Sequence, residues 1–105
     1  MVTSTPTRDG VIRLLQGAED EIRRLGVRRL ALFGSVLRGE ARPDSDVDLL
    51  VEFEADAKSF DRFLELCELL EAILERRVEL VTTEALSPYI GPHILAEAED
   101  VLRVA

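Results

Sequence analysis

The seven residues Val47 to Phe53 constrain this chain more than any others. Val47, Leu49 and Val51 fall at two-residue steps on one face of an extended segment, with Asp48 and Leu50 on the other. The segment reads as a strand whose apolar surface is interrupted by Asp48. A carboxylate in that position is costly unless it is paired or bound to metal. Glu79 interrupts Val78 to Val81, the next short apolar run, in the same way.

Around these runs the apolar period switches between helix and strand. Val11, Leu14, Leu15, Ala18, Ile22 and Leu25 lie at three- and four-residue steps, which predicts one helix that Gly26 ends in a left-handed cap. Leu30 to Phe33 is too short for a helix and is punctuated by Gly34, so it reads as the first strand. Ser35 to Leu37 begins a helical turn, and Arg38 to Ser45, with Gly39, Pro43 and Asp44, reads as a loop. Phe60, Phe63, Leu64, Cys67, Leu70, Ile73 and Leu74 draw the stripe of a second long helix that Ser59 can cap. Thr83 or Ser87, and then Pro92, can start further short helical pieces, and Val101 to Ala105 is either helix tail or a short edge strand. The order helix, strand, turn, strand, helix, strand, helix suits an α/β (α+β) domain with helices packed on a sheet.

At 105 residues the chain is expected to be one domain, 1–105, able to bury roughly two thirds of its unfolded surface. Its 13 Lys and Arg face 21 Asp and Glu, a formal charge of −8 that opposes non-specific attraction to nucleic-acid backbones. Cys67 is alone, so no internal disulfide forms and a reducing compartment fits. Met1 to Thr7 lacks the layout of a signal peptide, and no apolar run approaches the ~20 residues of a membrane span. The expected location is the cytoplasm.

Gly34-Ser35 and Ser45-Asp46-Val47-Asp48 carry the chemistry. Asp46 and Asp48, about 6.5 to 7 Å apart along a strand, can flank a pair of divalent ions held roughly 3.5 to 4 Å apart, as in-line displacement at phosphorus uses. Magnesium suits such a site because it takes oxygen ligands and shares them with substrate phosphates. Gly34 lets backbone amides approach a polyphosphate, and the Ser35 hydroxyl adds a donor. Arg38 and Arg42 can neutralise a leaving pyrophosphate. Glu79 supplies a third carboxylate, as metal ligand or proton acceptor, if its strand lies beside the second one. Taken singly, a Gly-Ser pair is usually a turn, Ser45-Asp46 a capped strand entry, and loop arginines solubilisers. Their joint occurrence favours a site. Cys67 reads as core, His93 as structural, and Tyr89 as packing or interface.

Leu32-Phe33-Gly34-Ser35-Val36-Leu37-Arg38-Gly39, followed by Ser45-Asp46-Val47-Asp48-Leu49-Leu50-Val51, resembles the signature of the DNA polymerase β-type nucleotidyltransferase superfamily in its minimal one-domain form. The resemblance implies a mixed three- to four-stranded sheet, triphosphate held by Gly34 and Ser35, and metal held by Asp46 and Asp48. Glu79 would take the third carboxylate's place, where the family more often has aspartate. Leu86-Ser87-Pro88-Tyr89-Ile90 with Pro92-His93-Ile94 is similar to the end of the MntA-type antitoxins that accompany HEPN-domain ribonuclease toxins. That resemblance implies transfer of AMP from ATP to a tyrosine hydroxyl of the toxin, with Mg2+ as cofactor. Two other readings stand beside it: an antitoxin that neutralises by binding alone, and a nucleotidyltransferase acting on an RNA end or a small hydroxylated molecule. Whether the chain pairs with itself or only with a partner is left open by the apolar helix faces.

Overall fold

The computed structural model describes residues 5–103. Its strands β1 (Val27–Phe33), β2 (Val47–Phe53), β3 (Val78–Thr82) and β4 (Glu99–Arg103) form one mixed sheet in the spatial order β3-β2-β1-β4. β1 runs antiparallel to β2 and β4, whereas β2 and β3 are parallel. Parallel neighbours need a long crossover, and α4 (Phe60–Leu74) provides it. Helices α1 (Arg8–Gly17) and α2 (Glu19–Arg24) precede the sheet, α3 (Gly34–Arg38) follows β1 without a break, and α5 (Gly91–Glu97) leads into β4.

Side-chain alternation gives the sheet two unequal faces. Leu30, Leu32, Val47, Leu49 and Val51 meet Val11, Leu15 and Ile22 of α1 and α2 and Leu66 and Leu70 of α4 in the main core. Each leucine in this set is fully buried, worth about 1.5–3 kcal/mol apiece relative to exposure. Ala31, Phe33 and Leu50 point to the other side, where Val81, Leu86, Ile94 and Ala98 form a thinner layer. By alternation Asp48 and Glu79 share that thinner face.

The predicted limits of β2 and α4 are those observed, and Ser59 caps α4 by accepting a hydrogen bond from the Arg62 amide at 3.1 Å. The α4 stripe is displaced from its expected position. Leu66, Leu70 and Leu74 are buried, while Phe60 and Leu64 are exposed and Cys67 is half-buried at the margin. This helix carries more apolar residues than one face can hold, so spacing alone does not say which face turns inward.

The single first helix is in fact two. α1 starts at Arg8 behind a Thr7 cap and stops at Gly17, with Ala18 between it and α2 at φ −111°, ψ 20°. Val11, Leu15, Ala18 and Ile22 are all buried across the break. The break is confined to Ala18, so the buried stripe continues across it, and Leu14 is exposed. β1 begins at Val27, before the apolar run, where Val27 pairs with Phe53 of β2, and the Arg29 guanidinium donates to Asp100 of β4 at 2.6 Å. Thr83–Ala85 is a short 3-10 turn, and the Ser87 hydroxyl accepts from the Ile90 amide just before α5. Of the two expectations for the chain end, the edge strand is observed, as Glu99–Arg103; residues 104–105 lie outside the described residues.

Candidate active site

The sequence-predicted residues gather at the end of the sheet where β1 stops and β2 and β3 start. Phe33 is opposite Asp48 across the antiparallel pair, and Asp48 is opposite Glu79 across the parallel pair. The condition placed on Glu79 is therefore met. Asp46 lies one residue before β2, so the two-residue period turns it toward the same side as Asp48.

Asp48 is the most strained of these groups electrostatically. Burial pushes its carboxyl above the usual aspartate range, and the negative charges of Glu79, Asp46 and Glu97 push in the same direction, opposed only by Arg38. Glu79 is exposed and Asp46 half-buried. Arg77 approaches Asp46 at 3.9 Å but is itself 87% exposed, so this pair contributes little.

Gly34 is where the site depends on a missing side chain. Its φ is +82°, in the region that glycine enters at little cost. A Cβ there would overlap Asp48 Oδ2 and stand 2.9 Å from Asp48 Cγ. The backbone at the β1–α3 junction thus lies directly against the Asp48 carboxylate, which a larger residue would displace. Ser35 follows on α3, half-buried, and its carbonyl accepts from the Glu40 amide at 2.8 Å to close the helix.

The two arginines part ways. Arg38 Nη1 donates to Glu97 Oε1 at 2.6 Å and Nε donates to Glu40 Oε1 at 2.9 Å, which fixes the guanidinium beside the turn. Arg42 is exposed, and what anchors it is backbone: its amide donates to the Ser45 hydroxyl at 2.7 Å, and its carbonyl accepts from the Ser45 amide at 3.0 Å. Ser45 therefore caps the loop.

Glu97 is the residue sequence reasoning missed. Its Oε2 accepts from the Gly34 amide at 3.2 Å while Oε1 accepts from Arg38, and these contacts hold its carboxyl below the usual glutamate range, Arg38 being the larger influence. Glu97 sits 63 residues beyond Gly34, at the end of a short helix, and no local pattern marks it.

Among the described residues no three acidic, histidine or cysteine side chains close into a ready-made metal cage. The donor chemistry still fits magnesium: Asp48 carries a desolvated, mutually repelled carboxylate with Asp46 and Glu79 toward the same edge. Magnesium is usually held by one or two carboxylates and completes its shell with water and substrate phosphates.

Residues 15–101 match the nucleotidyltransferase domain family. The chain is 45% identical over 92 residues to the protein adenylyltransferase MntA of Thermococcus cleftensis, covering 87% of this chain and 92% of that one. The solved structure of a minimal nucleotidyltransferase superposes with a TM-score of 0.70 at 37% identity, over 84% of this chain and 93% of the other. The fold also recurs, at 22% identity and a TM-score of 0.57, in a structure of a tri-AMPylated Shewanella oneidensis HEPN toxin in complex with its MNT antitoxin, over 85% of this chain and 72% of that one. Matching the family over residues 15–101 and its MntA-type relatives along most of its length, this chain is a member of the nucleotidyltransferase domain family, of the minimal MntA type.

Proposed function

We propose that this nucleotidyltransferase is a cytoplasmic, magnesium-dependent antitoxin that transfers AMP from ATP to a tyrosine hydroxyl of a HEPN-domain toxin. The observation that carries the reading is the Gly34 backbone set against Asp48, with Glu79 in register across the parallel pair. The adenylyltransferase name of the archaeal relative and the AMPylated HEPN partner of the structural neighbour support the donor and the acceptor class.

In this reading the Gly34 amide, the Ser35 hydroxyl and the Arg38 guanidinium hold the phosphates, with Arg42 free to swing toward the leaving group. Asp46, Asp48 and Glu79 are the residues that would hold magnesium, which when bound neutralises charge developing on the phosphate oxygens. The tyrosine oxygen attacks the α-phosphorus, the bond to the bridging oxygen breaks, and pyrophosphate leaves. Glu79, exposed on β3, would receive the phenolic proton. The net charge of −8 works against an RNA acceptor and leaves recognition to a protein surface.

The test is to incubate the chain with ATP, magnesium and a HEPN toxin encoded beside it, and to weigh the toxin by mass spectrometry. AMP adducts on tyrosine are expected with the intact chain and not with Asp46→Asn. An unmodified toxin with folded enzyme overturns the reading. Adducts on RNA ends or small alcohols would reassign the acceptor.

A further inference from the structure

The Glu97 carboxylate already occupies the place that the proposed function reserves for a nucleotide phosphate. One of its oxygens accepts from the Gly34 amide at 3.2 Å and the other from the Arg38 guanidinium at 2.6 Å. These are two of the donors assigned to the triphosphate, and a single anion spans both. A carboxylate presents two oxygens on one edge much as a phosphate does, and guanidinium pairs with either in the same forked geometry. The single Gly34 N–H cannot serve a phosphate while it donates to Glu97, and a phosphate brought there would also meet the like charge of that carboxylate.

We propose that Glu97 is a specificity-determining residue that acts as an internal competitor for the phosphate seat, released when a polyphosphate enters. The inference rests on reading Gly34 and Arg38 as phosphate donors. The place of Glu97 in the chain suits such a role. It is the last residue of α5, its side chain is 26% exposed, and Ala98 immediately after it is anchored in the thinner core layer, where its amide donates to the Ile94 carbonyl at 2.8 Å. The side chain can turn out to solvent while the backbone stays fixed. Arg38 remains oriented when Glu97 leaves, because Glu40 holds its Nε.

The occupied seat has two consequences. Any ligand must displace a charge-assisted contact before it binds, so apparent affinity falls by the fraction of molecules in which Glu97 is seated. A ligand with one anionic contact gains too little to do this, whereas a triphosphate adds contacts along its length. Glu97 therefore discriminates against single small anions and favours chains of phosphate. It also spares Asp48 little, since its charge adds to the repulsion there until it swings away.

The experiment is calorimetric titration of the full chain and of Glu97→Ala and Glu97→Gln with magnesium AMP-PNP, inorganic tripolyphosphate and adenosine, with circular dichroism to verify folding. Tighter binding of both phosphate-bearing ligands, by about tenfold in Glu97→Ala and less in Glu97→Gln, is expected, with adenosine unchanged. Unchanged or weaker binding of AMP-PNP and tripolyphosphate in both folded variants overturns the proposal and makes Glu97 a brace for the turn. Transfer to the toxin is measured separately. Tighter binding without any toxin adduct would keep the competitor and remove the proposed acceptor, while normal transfer with unimproved binding would do the reverse. If no variant and no wild-type protein binds a phosphate-bearing ligand, both readings fall.

Discussion

Gly34 and Asp48 are packed so closely that no side chain fits between the α-carbon of one and the carboxylate of the other. The turn proposed to hold phosphate and the first metal-ligand candidate are therefore one unit. Gly34→Ala is expected to cost about 1–3 kcal/mol from its φ of +82° alone, with further loss from the displaced Asp48. Transfer should fall by about 100-fold or more, since a misplacement of about 1 Å at a reacting centre has that effect. Thermal unfolding and a transfer assay measure both, and the stability loss should shrink in an Asp48→Ala background, where the clash with the carboxylate oxygen is gone.

Asp48 makes a pH prediction of definite sign. Its folded-state pKa lies above the ordinary value of 3.8, so the folded metal-free protein binds the proton more tightly than the unfolded chain. Stability contributed by the protonated form is present at low pH and is lost as pH rises from the ordinary value through the raised one. Asp48→Asn removes this penalty. The variant should therefore melt higher than wild type at neutral pH in chelator, with the gap closing as pH falls below about 4, and it should not transfer AMP. A variant that unfolds at neutral pH would assign Asp48 a structural role instead.

The end of α4 offers a stability test remote from the site. Glu75 is exposed and holds φ +53°, ψ +40°, the left-handed cap that glycine usually fills. Glu75→Gly should raise stability by about 0.5–1 kcal/mol, the gain being limited by glycine's greater freedom in the unfolded chain. Denaturant titration gives the difference, and transfer activity should not change.

Two further substitutions check how α4 is seated. Leu66 is fully buried and was not on the face the spacing indicated, so Leu66→Ala should cost about 2–5 kcal/mol. Exposed Leu64 should tolerate alanine within about 0.5 kcal/mol. Chemical denaturation of the pair separates the observed face from the expected one, because the latter ranks the two residues the other way.

What could be read from the sequence divides along the range of the interactions concerned. β2 and α4 were legible to the residue because their signals are local: a two-residue apolar period in one, and a capping serine before an apolar run in the other. The pairing of Asp48 with Glu79 was legible as a condition, since only the order of strands remained to be known. The break at Ala18 was hidden because the buried stripe runs through it in phase. β1 was read three residues short because Arg28 and Arg29 mask its start, and the partner of Arg29 is Asp100, 71 residues away. Glu97 was invisible for the same reason: its meaning lies in Gly34 and Arg38, which only the folded chain brings to it.

The most direct test of the whole account is an experimental structure of the chain with AMP-PNP and magnesium. It should place the triphosphate on the Gly34 amide and the Arg38 guanidinium, metal on Asp46 and Asp48 with Glu79 beside it, and the Glu97 carboxylate withdrawn. Nucleotide bound elsewhere on the surface, with Glu97 still seated on Gly34 and no metal at Asp48, would contradict it.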